Sequence, residues 1–319
     1  MRGSLAVILA VAGGVLLAPA AAACPRQNDG LCDEPYFSGA TGLCPINSDT
    51  ADCADLQVWW GSDETAIDAA ELFGLEPGRA RLARNEIFAR HGRRFQSADL
   101  QGFFALRSWY RPAEGEPALS AVEKGNVALF KAEEEAAAAS LPHPSGMPRP
   151  LASFSAEVVF DDGMRLAVER VEGRGGQVET AATGELRERL VLGDRREIWD
   201  LYRADGQATV YSPWYDPRVL LRLPAMLVLL EPVLEGTETL LGESALRFRL
   251  DWEDAEGAFW DGLVWVSADG IVLKAEVRFR AYEGDSLYDG EVRFELRNLK
   301  REALEPVVPP GDLAVGFAG

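Results

Sequence analysis

The sequence predicts a multidomain α+β protein: a small disulfide-rich head, a helical module and a C-terminal antiparallel β half-barrel covered by a helix. Three observations predict this fold class: all four cysteines lie within residues 24–53, apolar residues then follow helical spacing, and apolar and polar residues alternate from about residue 152 onward. The predicted boundaries are a signal peptide at 1–23, an acidic disulfide-rich segment at 24–60, the helical module at 61–139, a linker at 140–151 and the half-barrel domain at 152–319.

The N-terminus has the order of side chains that is typical of a secretory signal. Arg2 precedes an apolar stretch at 5–17, and small residues follow at 20–23. The apolar stretch is shorter than the roughly 20 residues that a membrane span needs, so no transmembrane segment is expected in the mature chain. We therefore expect a periplasmic or secreted protein. One alternative stays open, because residues 21–24 loosely resemble the lipobox of bacterial lipoproteins, in which Cys24 would carry lipid.

The cysteine-rich segment has little apolar surface with which to order itself. It is rich in Asp, Asn, Gly and Pro, and in an oxidising compartment two disulfides would hold such a segment together. Four cysteines allow three pairings, and the sequence does not choose among them. The expected disulfide cysteines are Cys24, Cys32, Cys44 and Cys53.

Oxygen donors are concentrated at short spacing around these cysteines. Carboxylate and amide oxygens are the ligands that a hard cation such as calcium prefers. The segment faintly resembles the small calcium-binding Lin12/Notch repeats, which carry six cysteines. The alternative is that these residues only form acidic turns, and no other cofactor is expected. The candidate calcium ligands are Asn28, Asp29, Asp33, Asp49 and Asp52.

Three helices are expected in the helical module. Ser62 can cap a helix that ends near Gly74, a second helix spans about 78–91, and an S-x-x-E capping box at 120–123 begins a third. His91 falls at a helix C-terminus, where the backbone dipole favours a proton, so a structural histidine is expected.

A motif inside this module points to a family. Residues 84–92 read Arg-Asn-Glu-Ile-Phe-Ala-Arg-His-Gly, and aromatic residues and the capping box follow. Over about residues 78–135 the chain resembles the YARHG domain, although Phe88 stands where the tyrosine of that motif belongs. The resemblance implies a helical module of bacterial extracytoplasmic proteins, and it assigns no molecular role.

The charge of the chain is negative but unevenly spread. The net charge is −19, which makes nucleic acid an unsuitable general partner. Residues 79–111 nevertheless hold eight basic and two acidic residues. This basic island either docks on acidic parts of the same chain or binds an anionic cell-envelope polymer. In the second case the binding residues would be Arg84, Arg90, His91, Arg93, Arg94 and Arg107.

Strand-like alternation dominates the chain after the Pro-rich linker. Every second residue is apolar in 154–160 and in 271–279, so one face of an antiparallel sheet is expected to be apolar and to need a cover. Asp-Gly pairs are expected as hairpin turns at 162–163, 205–206, 269–270 and 289–290.

The best candidate for the cover is the apolar segment at 217–234. Its prolines and charged residues make it a poor membrane span and predict a kinked helix or lid on the concave side of the sheet. The alternative is that the segment is simply core. If the concave face binds a ligand, the hydrophobic groove would include Leu220, Leu223, Met226, Leu227 and Leu230.

The order of features in this domain weakly resembles the LolA-like periplasmic lipoprotein-carrier superfamily. The resemblance is carried by the Phe-rich first strand, by Ile-Trp-Asp-Leu-Tyr at 198–202 before Tyr-Ser-Pro at 211–213, by Leu-Val-Trp-Val at 263–266, and by Leu-Arg-Asn-Leu at 296–299. It implies an incomplete barrel that wraps helices and holds acyl chains.

No known catalytic motif occurs in the sequence. Its two histidines are too far apart for a zinc-protease motif, and it has no nucleophile elbow, phosphate-binding loop or dinucleotide fingerprint. We therefore predict an exported cell-envelope binding protein without catalytic activity. The alternatives are a periplasmic lipid or lipoprotein carrier and an extracytoplasmic hydrolase of unrecognised type.

Overall fold

The disulfide pairing is settled by a computed structural model. It describes residues 24, 26–37, 40, 44–150, 153–170, 176–181, 188–192, 197–212, 214, 216–283, 286–304 and 313–317, so the predicted signal peptide lies outside the described residues. Cys24 pairs with Cys44, and Cys32 pairs with Cys53. All four cysteines are therefore oxidised, as expected. In this form Cys24 has no free thiol that could carry lipid.

The helical module contains four helices among the described residues. They are α1 (Ala69–Leu72), α2 (Pro77–Arg90), α3 (Ala98–Ala105) and α4 (Ala121–Ala138). The predicted capping box is present at the start of α4, where Ser120 and Glu123 each accept a hydrogen bond from the backbone N–H of the other. Helix α2 ends at the predicted place, with His91 as its C-cap.

The helix predicted to begin at Ser62 is wrong in its first half. Asp68 caps α1 instead, and residues 62–68 form no helix. The cause is Asn126 on α4, whose amide donates to the carbonyls of Ser62 and Thr65 and accepts from the N–H of Ile67. These contacts satisfy backbone groups that a helix would otherwise pair.

The last domain is built around one twelve-stranded sheet among the described residues. The sheet is antiparallel except for β12, which runs parallel to β6. The strand order is β12-β6-β5-β4-β3-β2-β1-β11-β10-β9-β8-β7. The strands are β1 (Phe154–Phe160), β2 (Arg165–Arg170), β3 (Gly176–Ala181), β4 (Glu188–Leu192), β5 (Glu197–Tyr202), β6 (Gln207–Tyr211), β7 (Val233–Leu240), β8 (Glu243–Glu253), β9 (Phe259–Ser267), β10 (Val272–Glu283), β11 (Ser286–Arg301) and β12 (Ala314–Phe317). The α+β class is confirmed, and closure as a half-barrel stays a prediction.

One of the four predicted hairpin turns is wrong. Glycines 163, 206 and 270 have the positive φ of a turn, but Asp289 and Gly290 lie inside β11, where they pair with Arg280 and Phe279. A Cβ on Gly290 would come within 3.2 Å of the Phe279 ring. This glycine therefore makes room for an aromatic side chain on the neighbouring strand β10.

The hydrophobic core is divided among the layers. The helical module and the cysteine-rich head share one hydrophobic cluster, and one face of the sheet forms a second, larger cluster with residues 219–230. A small third cluster around Trp199 lies on the opposite face of β4–β6. None of the helices in the described part of the chain is long and apolar enough to cross a membrane.

Candidate functional site

The apolar face of the sheet is covered by the segment between β6 and β7. These two strands follow one another in the chain but lie near opposite edges of the sheet, so the connection must cross the face. It does so as α5 (Pro217–Leu220), α6 (Pro224–Leu227) and a 3-10 turn (Val228–Leu230). We call residues 217–230 the cover. The kinks predicted in this segment are therefore present, and the segment packs on the apolar face of the sheet.

The breaks in the cover have local causes. Each short helix begins at a proline, and proline favours the first turn of a helix over its interior. Asp216 caps α5 by accepting hydrogen bonds from the N–H groups of Arg218 and Val219. Glu231 ends the last turn with a φ of 48°. The cover is thus three short pieces, each too short to be a stable helix by itself.

The predicted groove residues lie in the interior. Each of the five has 1% or less of its surface exposed, and all belong to the same cluster as the apolar face of the sheet. The cover itself therefore occupies the place that a groove ligand would take. The residues concerned are Leu220, Leu223, Met226, Leu227 and Leu230.

A partly buried polar network holds the N-terminal end of the cover. Arg189 on β4 contacts Asp200 on β5 at 2.6 Å and Asp216 at 2.5 Å, and the Tyr211 hydroxyl donates to Asp200 at 3.0 Å. Burial, together with the Asp200 carboxylate, raises the pKa of Tyr211 above its ordinary range, so this hydroxyl is a neutral donor. Sequence reasoning missed the network, although the single carboxylate inside the apolar run at 198–202 was a signal for it.

The basic island is paired within the chain. Arg84 forms a two-point contact with Glu134, Arg90 contacts Asp63 and Glu86, and Arg94 contacts Glu114. Arg107 is buried beside Glu34, and Arg93 stacks on the Phe88 ring. Because acidic residues of the same chain compensate most of these charges, the structure supports docking and gives no support to a site for an anionic polymer.

His91 has a structural partner. Its Nε2 lies 2.5 Å from Oε1 of Glu123, whose other oxygen accepts the Ser120 N–H of the capping box. Burial alone would raise the pKa of Glu123, but the Ser120 N–H and then His91 hold it below the ordinary value. The histidine of the motif thus joins the end of α2 to the start of α4.

The candidate calcium ligands divide into two groups. Asp33 and Asp49 are buried, and Asp49 accepts the Asp33 N–H at 2.8 Å. Asp29, by contrast, is exposed, and its N–H donates to Asp52. Asn28 occupies a left-handed turn with a φ of 65°. One group with metal-like spacing occurs among the described residues, Asp33 with Cys24 and Cys44, but the two sulfurs are joined in a disulfide. Calcium binding stays a prediction.

Glu86, a residue of the motif at 84–92 for which the sequence predicts no role, is a buried carboxylate. It accepts hydrogen bonds from the N–H groups of Val58 and Trp59 and lies 3.2 Å from Arg90. Burial raises its pKa from the ordinary value to about 7, although Arg90 and the two N–H groups favour the charged form. The folded protein therefore binds a proton here between about pH 4.5 and pH 7 that the unfolded chain has released.

This shift predicts a pH dependence that Glu86→Gln should remove. Because the folded pKa is raised, the stabilising contribution is fully present below about pH 4.5 and is lost as the pH rises through 7, by about 3 kcal/mol in total. Hydrogen exchange of α2 at matched pH should show protection in the native protein falling relative to the variant between about pH 5 and pH 7.5. If the ratio of protection between the native protein and the variant were the same at pH 5 and pH 7.5, the raised pKa of Glu86 would be contradicted.

Fold and site together define an α+β protein with a covered apolar sheet face. Two disulfides, with no free cysteine among the described residues, are consistent with an oxidising compartment. Residues 57–135 match the family model described as YARHG domain, which confirms the resemblance and extends it towards the N-terminus. The chain has no significant match among curated proteins.

Several solved structures are similar to about half of the chain. An uncharacterized conserved protein from Thermus thermophilus has a TM-score of 0.32 at 13% identity and covers 52% of this chain and 91% of its own. A LolA superfamily protein from Nitrosomonas europaea has a TM-score of 0.27 at 12% identity, and the match covers 50% of this chain and 91% of that protein. LprF from Mycobacterium bovis has a TM-score of 0.26 at 12% identity, and the match covers 51% of this chain and 90% of LprF. The second of these belongs to the LolA superfamily, which the C-terminal domain resembles in its order of features.

Proposed function

We propose that the protein is a non-catalytic, extracytoplasmic binding protein that takes up an apolar, acyl-type ligand between the sheet and the cover. The observation that carries the proposal is the construction of this interior. An apolar sheet face is filled by three short helical pieces of the same chain, and not by one long helix. Short pieces can shift without breaking a long run of helix hydrogen bonds.

The chemistry of the interior favours an acyl chain over a polar ligand. The apolar face of the sheet presents aliphatic and aromatic side chains, including Phe248, Val264 and Phe294, all of them buried. Such a surface binds by removing apolar area from water and has no need of a matched set of polar groups.

Neither histidine supports a hydrolase. His91 is paired with Glu123, and His143 contacts Ser145 through Nδ1 and packs against the Phe73 ring. Both rings are therefore engaged in contacts that hold the fold together. This supports the non-catalytic form of the proposal.

A photoreactive fatty acid tests the proposal directly. The full mature chain should bind the probe at micromolar concentration, crosslink to β8–β11 and the cover, and lose the label when unlabelled fatty acid is added. Leu234→Ser is the matched control, because Leu234 is an exposed apolar residue on the edge strand β7 and its replacement should leave labelling unchanged. Labelling confined to exposed residues, or none, would overturn the proposal and leave residues 217–230 as plain core.

A further inference from the structure

The cover is buried on both of its faces. All ten positions from 219 to 228 are buried, including the charged Arg222 and the first two residues of α6, Pro224 and Ala225. A segment that rested on the sheet alone would leave its outward side chains exposed. Another part of the chain must therefore cover the side that faces away from the sheet.

Phe73, at the end of α1, provides part of this outer layer. Its neighbours Leu72 and Leu75 belong to the core of the helical module, whereas Phe73 belongs to the core of the sheet domain and is 3% exposed. Helix α1 contacts the 3-10 turn of the cover. A Cβ on Gly74 would lie 3.3 Å from the Cβ of Ala225 in α6. One short stretch of chain thus joins the two cores directly above the cover.

Arg149 holds Phe73 in this position. Its guanidinium lies 4.8 Å from the centre of the Phe73 ring and makes a two-point contact with Glu133 on α4, at 2.6 and 3.2 Å. Its Nε donates to the carbonyl of Leu141 at 3.0 Å. The His143 ring packs edge-on against Phe73 at 5.3 Å. The aromatic ring is therefore fixed by the last helix of the module and by the segment after it.

The Pro-rich segment at 140–150 is docked on the sheet domain. Met147 is fully buried in the core of that domain. At the β9–β10 turn a Cβ on Gly270 would come within 2.6 Å of the Arg149 carbonyl, so the backbones meet where only glycine fits. The helical module consequently cannot move away from the cover without breaking these contacts.

We propose that the helical module is an intramolecular clamp: through Phe73 and Arg149 it holds the cover closed, and release of this contact admits the apolar ligand. The proposal rests on the function proposed above. It gives the helical module a role, which the pairing of its charged residues within the chain does not by itself provide. Because the ligand would bind the released form, weakening the clamp should raise the apparent affinity.

Hydrogen exchange of the cover measures the clamp without any ligand. In the full chain, Phe73→Ala should increase exchange in residues 217–230 by about tenfold or more, and Phe73→Leu should restore most of the protection. Phe95→Ala is the matched control, because Phe95 stacks on Phe104 within the core of the helical module. If that module stays folded, the control should leave the cover protected.

A second variant leaves both cores intact. Glu133→Gln removes the charge that holds Arg149 and should raise exchange of the cover by a smaller factor than Phe73→Ala. Unchanged exchange of the cover in both variants, with the helices still protected, would overturn the clamp.

The fatty-acid probe separates the two proposals. A clamp that acts on a ligand site predicts tighter probe binding by Phe73→Ala, by several-fold. If exchange of the cover rises and the probe still does not bind, the clamp stands as a structural contact and its role in admitting a ligand fails together with the proposed function. If the native protein binds the probe but neither variant changes exchange or affinity, the function stands and the clamp fails.

Discussion

Arg107→Met is expected to lower the free energy of unfolding by about 3–5 kcal/mol, the range for removing one partner of a buried ion pair. The Arg107 side chain has no exposed surface, lies beside the rings of Phe37 and Phe103, and donates to the carbonyls of Cys53 and Phe103. Its removal would leave the buried Glu34 without the guanidinium that faces it at 3.7 Å. Urea unfolding followed by tryptophan fluorescence measures the loss.

Arg94→Met is the matched control for this prediction. It is the same substitution in the same module, but Arg94 and Glu114 form an exposed pair, and such pairs contribute little. We expect a change within about 0.5 kcal/mol. The double variant Arg107→Met with Glu34→Gln should recover part of the loss, because the orphaned charge is then gone. Equal effects of Arg107→Met and Arg94→Met would contradict the buried placement of Arg107.

Gly92→Ala is expected to destabilise the helical module by about 3 kcal/mol, from left-handed backbone strain and a steric clash together. Gly92 has a φ of 78°, and an added Cβ would lie 2.6 Å from the carbonyl oxygen of Arg111. The backbone cannot move away easily, because the Ala113 N–H donates to the Gly92 carbonyl at 2.8 Å. The final glycine of the motif is thus required by a close approach of two chain segments.

Gly125→Ala should have the opposite sign. Gly125 lies inside α4, and no atom would lie within 4 Å of an added Cβ beyond its chain neighbours and its own helix. Alanine has the higher helix propensity, so this variant should gain about 0.5–1 kcal/mol. Thermal unfolding of the two variants beside the native chain gives the comparison. A neutral Gly92→Ala would show that the turn does not need glycine.

Local features of the fold were predictable where neighbours in sequence decide them. The capping box at Ser120, the end of α2 near His91 and the alternation in β1 depend on side chains within a few residues of one another. The helix expected at Ser62 failed because Asn126, far along the chain, takes its backbone groups. Asp289 and Gly290 form no turn because β10 and β11 pair from Glu283 and Ser286 onward, which places both residues inside β11.

The sequence predicts which residues form the candidate site, but it does not predict what packs against them. The apolar segment at 217–234 was assigned to the concave face, and its prolines indicated the breaks. Nothing in that segment indicated that Phe73 and Arg149 would pack on its other side. Likewise, the sequence does not indicate that basic residues of the island at 79–111 pair with carboxylates of the same chain, as Arg84 and Arg107 do.

By itself the sequence determined the module order, the disulfide-bearing head, the helix caps and the faces of the strands, because these depend on spacing and on local hydrogen bonds. Only the tertiary structure decided which cysteines pair, which charges are neutralised and whether the apolar face is open or filled. Those outcomes depend on which distant surfaces meet, since burial and ion pairing act between groups that the chain brings together from far apart.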